Sequence, residues 1–336
     1  MVIVAAAAGL ATLLSLYLAP ILIRAAHRYG IVDKPKPPLK LHREPVPYLG
    51  GLVIAVAFLI SLSLTYDFDS RVLALLLCGV LAVAVGLVDD LGTLTPRDKL
   101  IGQLIAAAVL VKAGIKVDIE AVPSPADEAL SVLWMVTCMN AFNILDVSDG
   151  LAAVAGLLGS VGSCVMALLN AEPMIATMSA ALAGACLGFL RFNWQPARMY
   201  LGDTGSLFLG AMLGAFAMIG RYSEQNTLSA WFVPLCLCAL PLFDLVLVII
   251  ARLRARKPIY HGSPDHFAVR LKHHGRSSGV VGGLALLSGG LIISAGIGST
   301  FLENGGALAV FGGTFGLLLA AMLVLLWRFP PKSPSA

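Results

Sequence analysis

Residues 140–152, Asn-Ala-Phe-Asn-Ile-Leu-Asp-Val-Ser-Asp-Gly-Leu-Ala, set Asn140, Asn143, Asp146 and Asp149 at every third position between two apolar runs. On an α-helix, steps of three drift by about 60°, so the four cover half the circumference. A last turn tightened to 3₁₀ would align Asn143, Asp146 and Asp149. Such a row suits a hard cation or a polar substrate. The plainer reading is a helix end whose polar side chains cap the backbone and meet water.

Other stretches pose the same choice. Asp89 and Asp90 end an apolar run; adjacent helical residues point about 100° apart, so the pair can address two partners, or form a solvated acidic loop. Thr95-Pro96-Arg97-Asp98 reads as an N-cap, a proline at N1 and an acidic N3. Lys99 then falls in the first turn of the next helix. Gly202-Asp203-Thr204-Gly205-Ser206 opens a further apolar run, where free N–H groups favour an anion. Asp203 beside an anion makes sense chiefly with a bridging cation; otherwise it is a plain N-cap.

Residues 33–51 are proline-rich and basic, and Lys40 with His42 can hold a phosphate or rest on anionic lipid. Residues 252–275 form a basic loop with four histidines, whose spacing does not offer a metal set. Asp244 lies inside an apolar run and is expected to find a base on a neighbouring helix or to stay protonated.

The elements carrying these residues are membrane helices. Of 336 residues, 58% are hydrophobic and only 12% charged, and mean hydropathy is +0.89; soluble domains run about 45–50% apolar and roughly 25% charged. Eleven spans are predicted near 2–23, 49–66, 72–88, 100–116, 129–145, 150–169, 174–190, 205–220, 228–250, 280–300 and 307–327. The first is read as a retained helix, since it lacks a basic n-region. Small-xxx-small pairs, Gly184 with Gly188 and Gly210 with Gly214, predict close helix approach. All six cysteines fall in apolar stretches and are read as packing residues. One domain, 1–328, with a short polar tail at 329–336, is the economical organisation.

Of the 23 Lys and Arg residues, 19 fall on one set of alternate loops and four on the other. By the positive-inside rule the first set is cytoplasmic, and the unusual polar residues lie in it. The expected architecture is an all-α polytopic bundle of ten to eleven membrane helices with its site at the cytoplasmic face. A pore lines its length with polar groups, and a secondary transporter places its site near the midplane between repeats. No internal repeat is evident here, so a transporter or flippase using its acids as an ion relay is the rival reading.

Five carboxylates, Asp89, Asp90, Asp146, Asp149 and Asp203, converge if the spans pack as a bundle. Two such charges 4 Å apart repel by about 4 kcal/mol at an effective dielectric of ~20, so a divalent cation, bound bases or raised pKa values must accompany them. Oxygen ligands without a Cys/His set point to Mg²⁺, or Mn²⁺ in its place. A hard cation beside helix N-termini, basic loops and oil suggests a phosphorylated substrate with a lipid partner; no nucleic acid is expected.

At these residues the chain resembles the polyprenyl-phosphate N-acetylhexosamine-1-phosphate transferases. Val88-Asp89-Asp90, the 140–152 motif, and Phe192-Asn193 through Pro196-Ala197-Arg198 to Gly202-Asp203-Thr204-Gly205-Ser206-Leu207 carry the likeness in order and spacing. The resemblance implies attack by a polyprenyl (undecaprenyl) phosphate on the β-phosphorus of a UDP-N-acetylhexosamine, with UMP leaving. It makes Asp203 the Mg²⁺ ligand, with Asp146 near metal and diphosphate, and Asp89 and Asp90 the pair that deprotonates or orients the lipid phosphate. Lys99 would meet phosphate, and Asp149 and Asn193 would lie toward the nucleotide. Asn143, Lys40, His42, His266 and Arg270 complete the substrate-binding set.

The setting it implies is a bacterial inner membrane, with a homodimer allowed. Three departures from the pattern involve four positions: Val147 stands for a glycine, Leu39 for an arginine, and Ala268 and Val269 for two histidines. These open the alternative of an inactive relative. The aspartate pattern of the CDP-alcohol phosphotransferases is absent, because Asp149-Gly150 is followed by Leu-Ala-Ala.

Overall fold

The computed structural model describes residues 1–33, 45–92, 94–117, 126–222, 226, 228–258 and 264–330. Lys40, His42 and residues 331–336 lie outside them. Helix α1 (Val2–Tyr29) leads to a two-stranded antiparallel ribbon, β1 (Val32–Asp33) on β2 (Val46–Pro47). Then come α2 (Gly50–Thr65), α3 (Ser70–Asp90), α4 (Pro96–Lys112), α5 (Ala126–Leu145), α6 (Leu151–Leu169), α7 (Pro173–Asn193) and α8 (Gly202–Ile219). The remainder is α9 (Ser229–Leu237), α10 (Ala239–Arg254), α11 (Phe267–His273), α12 (Ser278–Ser299) and α13 (Asn304–Arg328). The described residues thus form an all-α polytopic bundle.

Among the described residues, eight helices are long and apolar enough to cross a membrane: α1, α3, α5, α6, α7, α8, α12 and α13. Each expected span coincides with a helix, but α4, at the expected span 100–116, is not among those long and apolar enough to cross, and one span differs in shape. The expected straight span 228–250 is two helices, α9 and α10, meeting at 81°. Pro241 explains the break, because it lacks an N–H for the Leu237 carbonyl four residues back and its ring crowds that group. Helix α2 is apolar but has only 16 residues, about 24 Å of rise against ~30 Å of hydrocarbon. A second correction concerns 252–275, read as loop, where Phe267–His273 forms α11.

Helix α8 sits at the centre, packed against α2, α3, α5, α6 and α9. Small residues permit this density. A Cβ on Gly210 would lie 2.5 Å from the Met139 Cα of α5, and one on Gly184 would lie 2.1 Å from the Ala8 carbonyl oxygen of α1. The predicted small-residue stripes therefore do bring backbones together. All six cysteines are free thiols. Phe315 and Leu317 of α13 face outward, the side a bilayer would cover.

Candidate active site

The site forms where the ends of α3, α5 and α7 meet the beginnings of α4 and α8. At the end of α3 the two acids diverge, as the helical angle requires. Asp90 turns to the first turn of α8: its Oδ1 accepts the Asp203 N–H at 2.8 Å, and its Oδ2 accepts the Thr204 N–H at 3.0 Å and hydroxyl at 2.6 Å. These are orphan donors at a helix start, capped here from another helix. Close approach makes this possible. A Cβ on Gly86 would lie 2.4 Å from the Asp203 carbonyl oxygen, and one on Gly202, whose φ is +74°, would lie 2.8 Å from Asp90 Oδ2.

Asp89 turns the other way, to Lys99. The expected capping box forms at α4, with Thr95 and Asp98 exchanging side-chain and backbone bonds. Lys99 Nζ then reaches Asp89 Oδ2 at 2.7 Å, Asp203 Oδ2 at 2.5 Å and Asn143 Oδ1 at 3.1 Å. Asn143 donates to Asp203 Oδ1 at 2.8 Å and to Ser206 Oγ at 3.1 Å. One ammonium and one amide thus bind two carboxylates from distant parts of the chain. Asn140 is spent elsewhere, donating to Gln103 of α4 at 2.8 Å.

Helix α5 ends at Leu145, and the Asp146 N–H bonds back to the Asn143 carbonyl at 3.4 Å. Asp146 and Asp149 therefore occupy a short loop. Burial pushes the Asp146 carboxyl up to about 8; the negative charges of Asp203, Asp90 and Asp149 add to the rise, and the Gly202 N–H opposes it. Asp149 Oδ2 accepts the Ala197 N–H at 3.0 Å. Val147, in the place of a glycine, is not among the residues at positive φ, so its branched side chain imposes no backbone strain. The left-handed position is Gly150, at φ +75°.

Asn193 is buried, accepting the Gly150 N–H at 3.1 Å and donating to the Met199 carbonyl at 2.9 Å. It clasps two loops rather than facing an open pocket. Arg270 is also buried, bonding the Asp265 carbonyl oxygen and side chain and the Leu325 and Phe329 carbonyl oxygens. It ties α11 to the end of α13. His266 Nδ1 lies 2.8 Å from Asp244 Oδ2, and the Phe267 N–H donates to Asp244 Oδ1 at 2.8 Å. The intramembrane acid thus finds its base just ahead of α11. His274 bonds the Arg270 carbonyl oxygen, and His273 keeps a buried Nδ1 with no hydrogen-bond partner among the described residues.

Sequence reasoning missed Thr204, Ser206 and, above all, Lys272. From α11, Lys272 Nζ donates to Ser148 Oγ at 3.1 Å, inside the acidic loop. Burial lowers its ammonium and the nearby Asp149 charge pulls it back up. The signal available beforehand was only a basic residue among seven in a basic segment.

Among the described residues no three His, Cys, Asp or Glu side chains form a ready metal cage. Mg²⁺ is usually held by one or two carboxylates together with waters and substrate phosphates, and so does not need such a cage. Asp203 and Asp146 are the oxygen donors nearest to that role, and the charges acting on Asp146 are other carboxylates, which a cation would offset.

Residues 72–221 match the model of a family described as glycosyl transferase family 4. A probable undecaprenyl-phosphate N-acetylglucosaminyl 1-phosphate transferase of Bacillus subtilis is 32% identical over 271 residues, covering 78% of this chain and 75% of that protein. A decaprenyl-phosphate N-acetylglucosaminephosphotransferase of Mycolicibacterium smegmatis is 30% identical over 348 residues, covering 91% and 84%. A phospho-N-acetylmuramoyl-pentapeptide-transferase of Chlamydia trachomatis is 48% identical, but over 96 residues and 28% of this chain. With acids, lysine and amide gathered at helix ends in the matched region, and with relatives alike over most of their length, the chain belongs to glycosyl transferase family 4 and is a transferase.

Proposed function

We propose that the protein transfers N-acetylhexosamine-1-phosphate from a UDP-sugar to polyprenyl phosphate, starting a lipid-linked cell-envelope glycan. The observation that carries this reading is the Lys99 bridge between Asp89 and Asp203, with the Asp146 carboxyl close enough to feel the Asp203 charge. Acids at helix ends suit a reaction at the bilayer surface, whereas an ion relay needs them near mid-helix. The wide-coverage relatives bear names of N-acetylglucosamine-phosphate transferases, which favours that amino sugar over the muramoyl-pentapeptide class.

In the proposed step an oxygen of the lipid phosphate forms a bond to the β-phosphorus of the donor. The bond from that phosphorus to the oxygen bridging to the α-phosphate breaks, and UMP leaves with that oxygen. Asp89 holds or deprotonates the incoming phosphate. Lys99 neutralises carboxylates in the resting site and can turn an N–H to phosphate. Asp90 keeps Asp203 aimed by capping α8. Asp203 and Asp146 would hold Mg²⁺, or Mn²⁺ as substitute, which when bound would supply charge stabilisation to the diphosphate. Positioning accounts for much of the rest. The charge bias of the loops supports a cytosolic position for this face, in a bacterial inner membrane.

The test is UMP release by purified protein given polyprenyl phosphate, Mg²⁺ and a panel of UDP-N-acetylhexosamines. Release with one donor and not others supports the reading and names the sugar. A folded sample silent with every donor overturns it.

A further inference from the structure

Helix α11 stands where two expected histidines are Ala268, fully buried, and Val269. Of the other basic groups on and just after α11, Arg270 bonds the end of α13 and Asp265, and His274 bonds a backbone carbonyl. His273 is an imidazole, able to stay neutral, with a buried Nδ1 that has no hydrogen-bond partner among the described residues. Lys272 differs. It is half-buried, its hydrogen bond goes to a neutral hydroxyl, Ser148 Oγ, and no ion pair with it occurs among the described residues. An ammonium has three donors, so two are unused. Ser148, by accepting, keeps its own O–H free to donate. Asp149, whose charge acts on Lys272, also accepts the Ala197 N–H through one oxygen.

Burying a cation against one hydroxyl is costly unless an anion completes it. Lys272 and Ser148 meet in the loop that also carries Asp146 and Asp149, where carboxylates alone would repel a phosphate. We propose that Lys272 and Ser148 form a phosphate-oxyanion subsite, a positive counterpart that this chain presents from α11 in place of the missing histidines. The inference rests on the transferase reading and adds a residue that the motifs did not mark. Its ligand is a phosphate oxygen of the UDP-sugar or of the polyprenyl phosphate.

The experiment measures steady-state kinetics in detergent with each substrate varied in turn, and UDP against uridine binding to the full-length protein without lipid. K272Q keeps a hydrogen bond to Ser148 and loses the charge. It is expected to raise one KM by about ten- to a hundredfold, the effect of losing a charge-assisted bond, with K272R restoring most of it. A rise for the UDP-sugar, with weaker UDP binding and unchanged uridine binding, assigns the donor diphosphate. A rise for polyprenyl phosphate alone assigns the acceptor. An active wild type whose K272Q variant keeps both KM values and UDP affinity within about twofold overturns the subsite and leaves the transferase reading standing. If the wild type releases no UMP, that reading falls, and equal UDP binding by wild type and K272Q removes the subsite as well.

Discussion

Asp90 grips Thr204 twice through one oxygen: Oδ2 accepts the Thr204 N–H at 3.0 Å and its hydroxyl at 2.6 Å, while Oδ1 takes the Asp203 N–H. The acid that ends α3 is thereby the cap of α8, and the orientation of Asp203 depends on it.

Asp90→Ala is accordingly expected to lower stability by about 0.5–2 kcal/mol, as loss of a helix cap does, and to cut activity through misplaced Asp203. Asp90→Asn keeps one acceptor oxygen and should fall between. Thermal unfolding in detergent alongside UMP release separates the two effects. A stable, fully active Asp90→Ala protein contradicts the capping role.

Lys99 and Asp203 form the second test. Lys99→Met leaves Asp89 and Asp203 close together without their shared cation; repulsion near 4 kcal/mol at 4 Å and dielectric ~20 forces one to keep a proton. Turnover should drop at least about a hundredfold. Asp203→Asn should lose activity comparably with the fold intact, since Asn143 can still donate to the remaining oxygen. Near-normal turnover by Asp203→Asn removes it from the metal assignment.

Asp146 supplies a pH dependence. Its carboxyl rises from 3.8 to about 8 on folding, so the folded chain favours the protonated form. That contribution to stability is complete below about pH 4 and is lost as pH rises through about 8. A divalent cation needs the carboxylate and competes with the proton, so Mg²⁺ affinity should climb with pH and level off above about 8. Unfolding of metal-free protein and calorimetric Mg²⁺ titration over about pH 6–9 check both. A flat Mg²⁺ affinity takes Asp146 out of the ligand set.

Asn193 is the residue whose expected role the geometry recasts. With its oxygen on Gly150 and its nitrogen on the Met199 carbonyl, Asn193→Ala leaves a buried N–H unpaired. A loss of about 1–3 kcal/mol in stability follows. The change should appear first in the unfolding temperature. If stability holds and only the KM for the UDP-sugar rises, Asn193 meets nucleotide after all.

What could be read beforehand depended on local chain properties. The membrane class and ten or more helices followed from apolar runs, because desolvation of the backbone leaves a helix as the workable spanning form for such runs. The Thr95–Asp98 capping box was legible because its partners are three residues apart. The small-residue stripes were legible because a helix repeats its face every three to four residues. Even the break between α9 and α10 had its cause in plain view at Pro241, though periodicity alone read through it.

The sequence by itself determined which groups arrive at the helix ends, since that depends on where oil gives way to charge. The tertiary structure alone decided what those groups do there. Asp90 meets Asp203 across 113 residues, Lys99 meets the same Asp203 across 104, and Lys272 meets Ser148 across 124. Such pairings follow from which helices become neighbours, and neighbour choice is set by packing summed over the whole bundle. That is why Arg270 ends on the carbonyls of α13 and His266 on Asp244, while the unremarked Lys272 reaches the acidic loop.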